Sequence, residues 1–115
     1  MISRPITNSG QPLTDPSGSP LVGVEVSAQL VDCDLNPCKV VDALTGDVVF
    51  GTVSSATDAT GVFTLDLWPN SRGTQPSQYL CKIGALVEPF VIVVADLPGP
   101  LSIFDAMKAG GLPPC

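Results

Sequence analysis

Residues 21–31, LVGVEVSAQLV, alternate without a break and restrict the fold more than any other stretch of the chain. Val22, Val24, Val26, Ala28 and Leu30 fall on one side, and Gly23, Glu25, Ser27 and Gln29 on the other. Successive strand side chains point to opposite faces, so this period predicts a half-buried strand. The same grammar recurs in VVFGTVSSAT at 48–57 and in VFTLDLW at 62–68, where Phe63, Leu65 and Leu67 share a face opposite Thr64, Asp66 and Trp68. In YLCKIGALV at 79–87, Tyr79, Cys81 and Ile83 alternate with Leu80 and Lys82. FVIVVA at 90–95 is apolar on both faces, which predicts a central strand or one lying beneath the C-terminal segment.

Between these runs lie turn residues, DPSGSP at 15–20, Thr45-Gly46 and TDATG at 57–61. Their Asp and Ser side chains bond to nearby backbone, while proline fixes φ and glycine takes positive φ. The chain has 11 glycines and 12 prolines in 115 residues, enough for many turns and long shaped loops. No βαβ alternation occurs, so the expected fold is all-β, a single β-sandwich over residues 21–96. Residues 1–20 carry Pro5, Pro12, Pro16 and Pro20 and read as an extended Pro/Gly-rich N-terminal arm. That much proline allows no central strand there. In the tail, 97–115, the one helical candidate runs from about Leu101 to Ala109. Ser102 is its expected N-cap, Asp105 lies in its first turn, and Gly110-Gly111 stops it.

The chemistry of catalysis is poorly represented. The chain has no histidine, which removes the usual base of nucleophilic triads and the commonest metal ligand. The carboxylates Asp15, Asp42, Asp47, Asp58 and Asp96 are isolated in turns. The expectation is no enzyme, no cofactor and no small-molecule substrate. Asp32, Asp34 and Asn36 in DCDLNPC present oxygens at alternate residues, but the loop lacks the glycine and terminal glutamate of a calcium-binding hand. They read as turn residues. Of four cysteines, only Cys33 and Cys38 are close in sequence, which gives no zinc pattern. Cys33 and Cys38 are candidates to close a disulfide across their loop, Cys115 is a candidate for an intermolecular bond, and Cys81 reads as a small buried apolar residue. The alternative is that the thiols are mostly free.

Net charge is −6, with only Arg4, Lys39, Arg72, Lys82 and Lys108 basic, and these are scattered. Phosphate binding needs clustered cations, so neither nucleic acid nor an anionic membrane is an expected partner. The start, MISRPITNSGQP, has no apolar run of signal-peptide length, which predicts synthesis in the cytoplasm without a leader. The side chains expected to reach neighbouring subunits are Ile2 and Ile6 near the N-terminus and Leu101, Ile103, Phe104 and Met107 in the tail. Trp68, just before Pro69, reads as a lid on the core in preference to a ligand platform.

The blocks DPSGSPLVGVEVSAQL and TDATGVFTLDLWPN resemble the transthyretin-like or carboxypeptidase-regulatory-like sandwich family. The turn followed by LDLWPN, a polar loop, SQYLCKI and the closing VADLPGPLSIFDAM is similar to small domains of tailed-bacteriophage fibre and appendage proteins, over roughly residues 12–107. The resemblance implies an Ig-like/transthyretin-like sandwich. It also implies a structural subunit of a virion, in the head decoration, neck, collar, baseplate or fibre attachment. Its partners would be other virion proteins and copies of itself, and lysis would release it with no leader. The cysteine-flanked insertion at 33–38 departs from the pattern. The alternative is a bacterial cell-surface or extracellular module that recognises carbohydrate or protein through the loops 33–38 and 69–78. Such a module should expose Trp68 or Tyr79, whereas a structural subunit should bury Trp68.

Overall fold

The computed structural model describes residues 3–8, 10–84 and 88–109, with side chains as far as Ala106. Among these residues nine strands follow in order: β1 (Arg4–Thr7), β2 (Glu25–Val31), β3 (Val40–Val41), β4 (Val48–Val49), β5 (Thr52–Ala56), β6 (Thr64–Leu67), β7 (Gln78–Ile83), β8 (Phe90–Ile92) and β9 (Leu101–Ser102). The described residues also form a 3₁₀ turn at Asn70–Arg72 and a helix, α1, at Ile103–Ala109. The strands form a four-stranded sheet, β5-β2-β7-β8, a three-stranded sheet, β6-β1-β9, and the hairpin β3-β4. The fold is an all-β sandwich.

The alternation explains the layers. Val26, Ala28 and Leu30 of β2 and Tyr79, Cys81 and Ile83 of β7 are buried, as are Phe63, Leu65 and Leu67 around β6. Together with Ile6, Val40, Ile92, Val94 and Ile103 they make one core cluster. The polar positions between them, such as Ser27 opposite Lys82, line the other face of the same ladder. Burial of these side chains is the main favourable term holding the layers together, at about 25 cal/mol for each Å² of apolar surface removed from water.

Four features differ from the sequence-based reading. Residues 4–7 are no arm. β1 is the middle strand of its sheet, antiparallel to β6 with Pro5 opposite Asp66, and parallel to β9 from Ile6 onward. Pro5 is tolerated because the β9 ladder begins one residue after it. Val22, on the expected buried face, is 63% exposed, because Gly23 turns the chain at φ +75° and β2 begins only at Glu25. The run 48–57 is two strands, interrupted at Gly51, whose φ is +101°. β8 is an edge strand, and α1 packs against it, as one of the two readings of FVIVVA required. The helix starts at Ile103, since Leu101 and Ser102 pair with β1 instead.

One loop device occurs three times. In Asp15–Ser19, Asp32–Asn36 and Asp58–Val62 the aspartate Oδ1 accepts the amides two and four residues on, at 2.8–3.1 Å. The aspartate amide in turn donates to the carbonyl of the fifth residue, at 2.8–2.9 Å. The fourth residue must then adopt positive φ, and it is Gly18 (+89°), Leu35 (+67°) and Gly61 (+80°). Asp32 is therefore the cap of its own loop, which is the turn role expected of it. The same loop faces Cys33 outward and turns Cys38 against the core. Cys33 is disulfide-bonded while Cys38 is a free thiol, so the expected closure of 33 onto 38 is not made. Cys115 lies outside the described residues.

Candidate functional site

The densest polar chemistry in the molecule surrounds Asp42. Its carboxylate is almost wholly buried, with the residue 1% exposed. Oδ1 accepts the amides of Leu44 (2.8 Å) and Thr45 (3.1 Å), so the side chain first shapes its own turn. Oδ2 accepts from Trp68 Nε1 at 2.8 Å and from Arg72 Nε at 3.1 Å. Arg72 also approaches Asp96 at 3.6 Å, an exposed contact of small energetic weight. The Arg72 carbonyl accepts the Ala43 amide at 2.7 Å, which ties the 3₁₀ turn to the 42–47 loop twice. The indole N–H holds the Asp42 carboxyl well below the usual range; burial opposes this, and the Leu44 amide and Arg72 reinforce it.

A second set anchors the rest of the 69–78 loop. The buried Asn70 donates from Nδ2 to Ser77 Oγ (3.0 Å), accepts the Val94 amide at Oδ1 (2.9 Å), and donates its own amide to the Val94 carbonyl (2.8 Å). Tyr79 donates its hydroxyl to the Trp68 carbonyl at 2.7 Å, and burial pushes its ionisation upward. Across the sandwich, Asn8 receives the Phe63 amide at 2.9 Å and donates to the Gly61 carbonyl at 3.0 Å. Thr57 donates to the Leu21 carbonyl (2.6 Å) and accepts the Val24 amide (2.9 Å). Among the described residues no buried side-chain nitrogen or oxygen lacks a partner.

Chemically, these groups clamp loops. Asp42 already receives four hydrogen bonds, and Trp68 and Tyr79, 3% and 4% exposed, direct their polar atoms inward. Neither aromatic offers a face to a sugar. Cys81 is buried beside Tyr79 in sequence parity, and burial pushes its thiol up to about 12. Cys38 is shifted the same way, by burial and by the Asp32 charge, so neither described free thiol is an activated nucleophile.

The assembly residues divide. Ile6 and Ile103 are completely buried in the core and have no surface to offer, because β1 is interior and α1 begins by plugging the sandwich. Leu101 and Phe104 are half-buried against the same cluster. Ile2 and the Met107 side chain lie outside the described residues.

The apolar surface is elsewhere. On the β3-β4 hairpin, Val41 pairs with Val48 on the outward face, next to exposed Leu44 and Phe50. Lys39 lies over the Phe50 ring, 5.5 Å from its centroid. With Pro37, Cys38 and Gly51 this pair lines a shallow cavity of about 260 Å³. A cleft of about 290 Å³ opens between Arg4 and the 96–99 segment, but Arg4 is bound there to the carbonyls of Gly99 (3.0 Å) and Ala95 (3.3 Å). The sequence shows Val48 and Phe50 as ordinary strand residues. The short, isolated β3-β4 ladder leaves the apolar face of Val41 and Val48 uncovered.

Acid should loosen the clamps. The carboxyls of Asp42, of Asp58 (chiefly through the Thr60 hydroxyl) and of Asp15 (chiefly through the Ser17 hydroxyl) are all held down in the folded state. A depressed folded pKa contributes stability that is present above the unfolded value, about 3.9, and is lost as pH falls through the folded one. Thermal melts should therefore be flat from neutral pH to about pH 5 and decline below about pH 4, with a shallower decline in Asp42→Asn. An undiminished melting temperature at pH 2 would contradict this account.

No family model matches the chain, and no curated protein is significantly similar to it in sequence.

Proposed function

We propose that the chain is a non-enzymatic structural subunit of a tailed-bacteriophage particle that acts by protein–protein assembly. One observation carries this over the surface-binding reading. Trp68 and Tyr79, the aromatics that a carbohydrate platform would present, are buried, and their N–H and O–H groups hold the chain's own loops. Loop 69–78, one of the two loops that a binding module would use, is fastened inward through Asn70, Ser77 and Arg72. What faces outward is a hairpin with uncovered valines, leucine and phenylalanine, a surface suited to packing against another protein. The resemblance of TDATGVFTLDLWPN and VADLPGPLSIFDAM to phage appendage domains supplies the biological setting, a virion assembled in the host cytoplasm.

Quantitative mass spectrometry of purified particles tests this reading. The chain should be present in a fixed multiple relative to the major structural proteins, and it should remain after high-salt washing. Recovery only in the particle-free lysate would overturn it. A glycan array that gives specific binding, abolished by changes in loop 33–38, would favour the surface module instead.

A further inference from the structure

We propose that two copies of this chain pair antiparallel through the free edge of β5 and join their four-stranded sheets into one. The inference rests on the assembly reading above and names a partner for it, a second copy.

Among the described residues β5 is paired on one side only, with β2. The Leu30 amide donates to the Gly51 carbonyl and the Thr57 amide to the Val24 carbonyl, both at 3.0 Å. With the register Ala28↔Val53 and Val26↔Ser55, these bonds fix the alternation of the ladder. Val53 and Ser55 point their main-chain groups at β2. Thr52, Ser54 and Ala56 point theirs away, along the open edge.

Edges of this kind are ordinarily guarded by charge, proline, a covering element or brevity. The other sheet edges carry such guards. β6 has the exposed Asp66 at mid-strand, β8 is entered through Glu88-Pro89 and contacts α1, and β9 has only two residues. β5, Thr-Val-Ser-Ser-Ala, has no charge and no proline, and four of its five residues are exposed. Val53 is 39% exposed although it shares the face of buried Ala28, and β6 of the facing sheet approaches β5 without pairing to it.

The occupant follows from self-complementarity. A two-fold axis through Ser54 sets Ser54 opposite its own copy and Thr52 opposite Ala56. These are the residues whose main-chain groups point away from β2, and each such pair exchanges two hydrogen bonds. Residues of a −6 chain meet there without any like charges in contact.

Sedimentation velocity of the full chain over a wide concentration range should show a monomer–dimer equilibrium. Ser54→Lys places like charges opposite each other and Ser54→Pro removes the outward N–H; each should weaken the dimer at least about tenfold. Both should leave the monomer's circular dichroism unchanged. Ser54→Cys should form a covalent dimer under mild oxidation, since hydrogen-bonded partners sit about 5.5 Å apart at Cα, within disulfide reach. Wild type under the same oxidant is the reference. A wild type that stays monomeric, a dimer indifferent to both Ser54 changes, or no gain in cross-linking with Ser54→Cys would each overturn the pairing. Incorporation of a strictly monomeric chain into particles would overturn this edge alone. A β5 dimer missing from particles would overturn the virion reading and leave the edge standing.

Discussion

Trp68→Ala is expected to destabilise the protein by about 3–5 kcal/mol, the range for truncating a large buried aromatic. Its ring fills the end of the core, and Gly73 sits so close that a Cβ there would approach the ring at 3.0 Å and Val40 at 2.7 Å. The loss would not be packing alone. The indole N–H is one of two side-chain donors on the buried Asp42 Oδ2, and its removal leaves that oxygen with Arg72 alone, so part of its desolvation cost is no longer offset. Urea unfolding measures the total, and limited proteolysis should show new cleavage in 42–47 and 69–78 together, since one carboxylate serves both loops. Trp68→Phe separates the contributions. It keeps most of the apolar area, should cost clearly less than alanine, and should raise the pH at which Asp42 protonates. Equal losses for the two variants would mean that the hydrogen bond, not the ring, dominates.

The second large effect is at Gly61. Alanine there must hold φ near +80°, which costs about 1–2 kcal/mol, and its Cβ would collide with the Leu13 carbonyl oxygen. The Leu13 amide bonds to the Gly61 carbonyl at 3.0 Å, so the two segments cannot simply part. A total of about 2–4 kcal/mol is expected for Gly61→Ala in urea melts. The equivalent position in the Asp32 loop offers the opposite experiment. Leu35 stands at φ +67° and is half exposed, so Leu35→Gly relieves strain of about 1–2 kcal/mol. Against that stands the extra freedom of glycine in the unfolded chain, about 0.4–1 kcal/mol. A net gain between zero and about 1.6 kcal/mol is expected. If Leu35→Gly destabilised the protein by as much as Gly61→Ala, the shared-loop account would fail.

Strand faces were legible wherever one side of a strand meets the core. Tyr79, Cys81 and Ile83 alternate with Leu80 and Lys82 in sequence and in burial alike, and Phe63, Leu65 and Leu67 behave the same way. The Asp-x-x-Gly turns were legible because the aspartate and glycine satisfy the loop from within five residues. Less readable was any property that depends on a distant partner. Pro5 argued against a central strand, yet β1 is central because its neighbour on one side starts pairing only at Ile6. Ile6 and Ile103 suggested contacts with other subunits, but β1 and α1 close this sandwich with them.

Asp42 is the clearest division between the two levels. As a residue type before Ala-Leu-Thr-Gly it could be read only as a turn carboxylate, and its Oδ1 does play that part. Its Oδ2 meets Trp68 and Arg72, 26 and 30 residues away, and no local pattern encodes that meeting. The sequence alone determined the all-β class, the inward faces of the main strands and the loop chemistry, because hydrophobic alternation and Asp/Gly capping act over a few residues. Tertiary structure decided which strands are central, which carboxylate is buried and which edge is left open, because those depend on long-range pairing and on what each face finally covers.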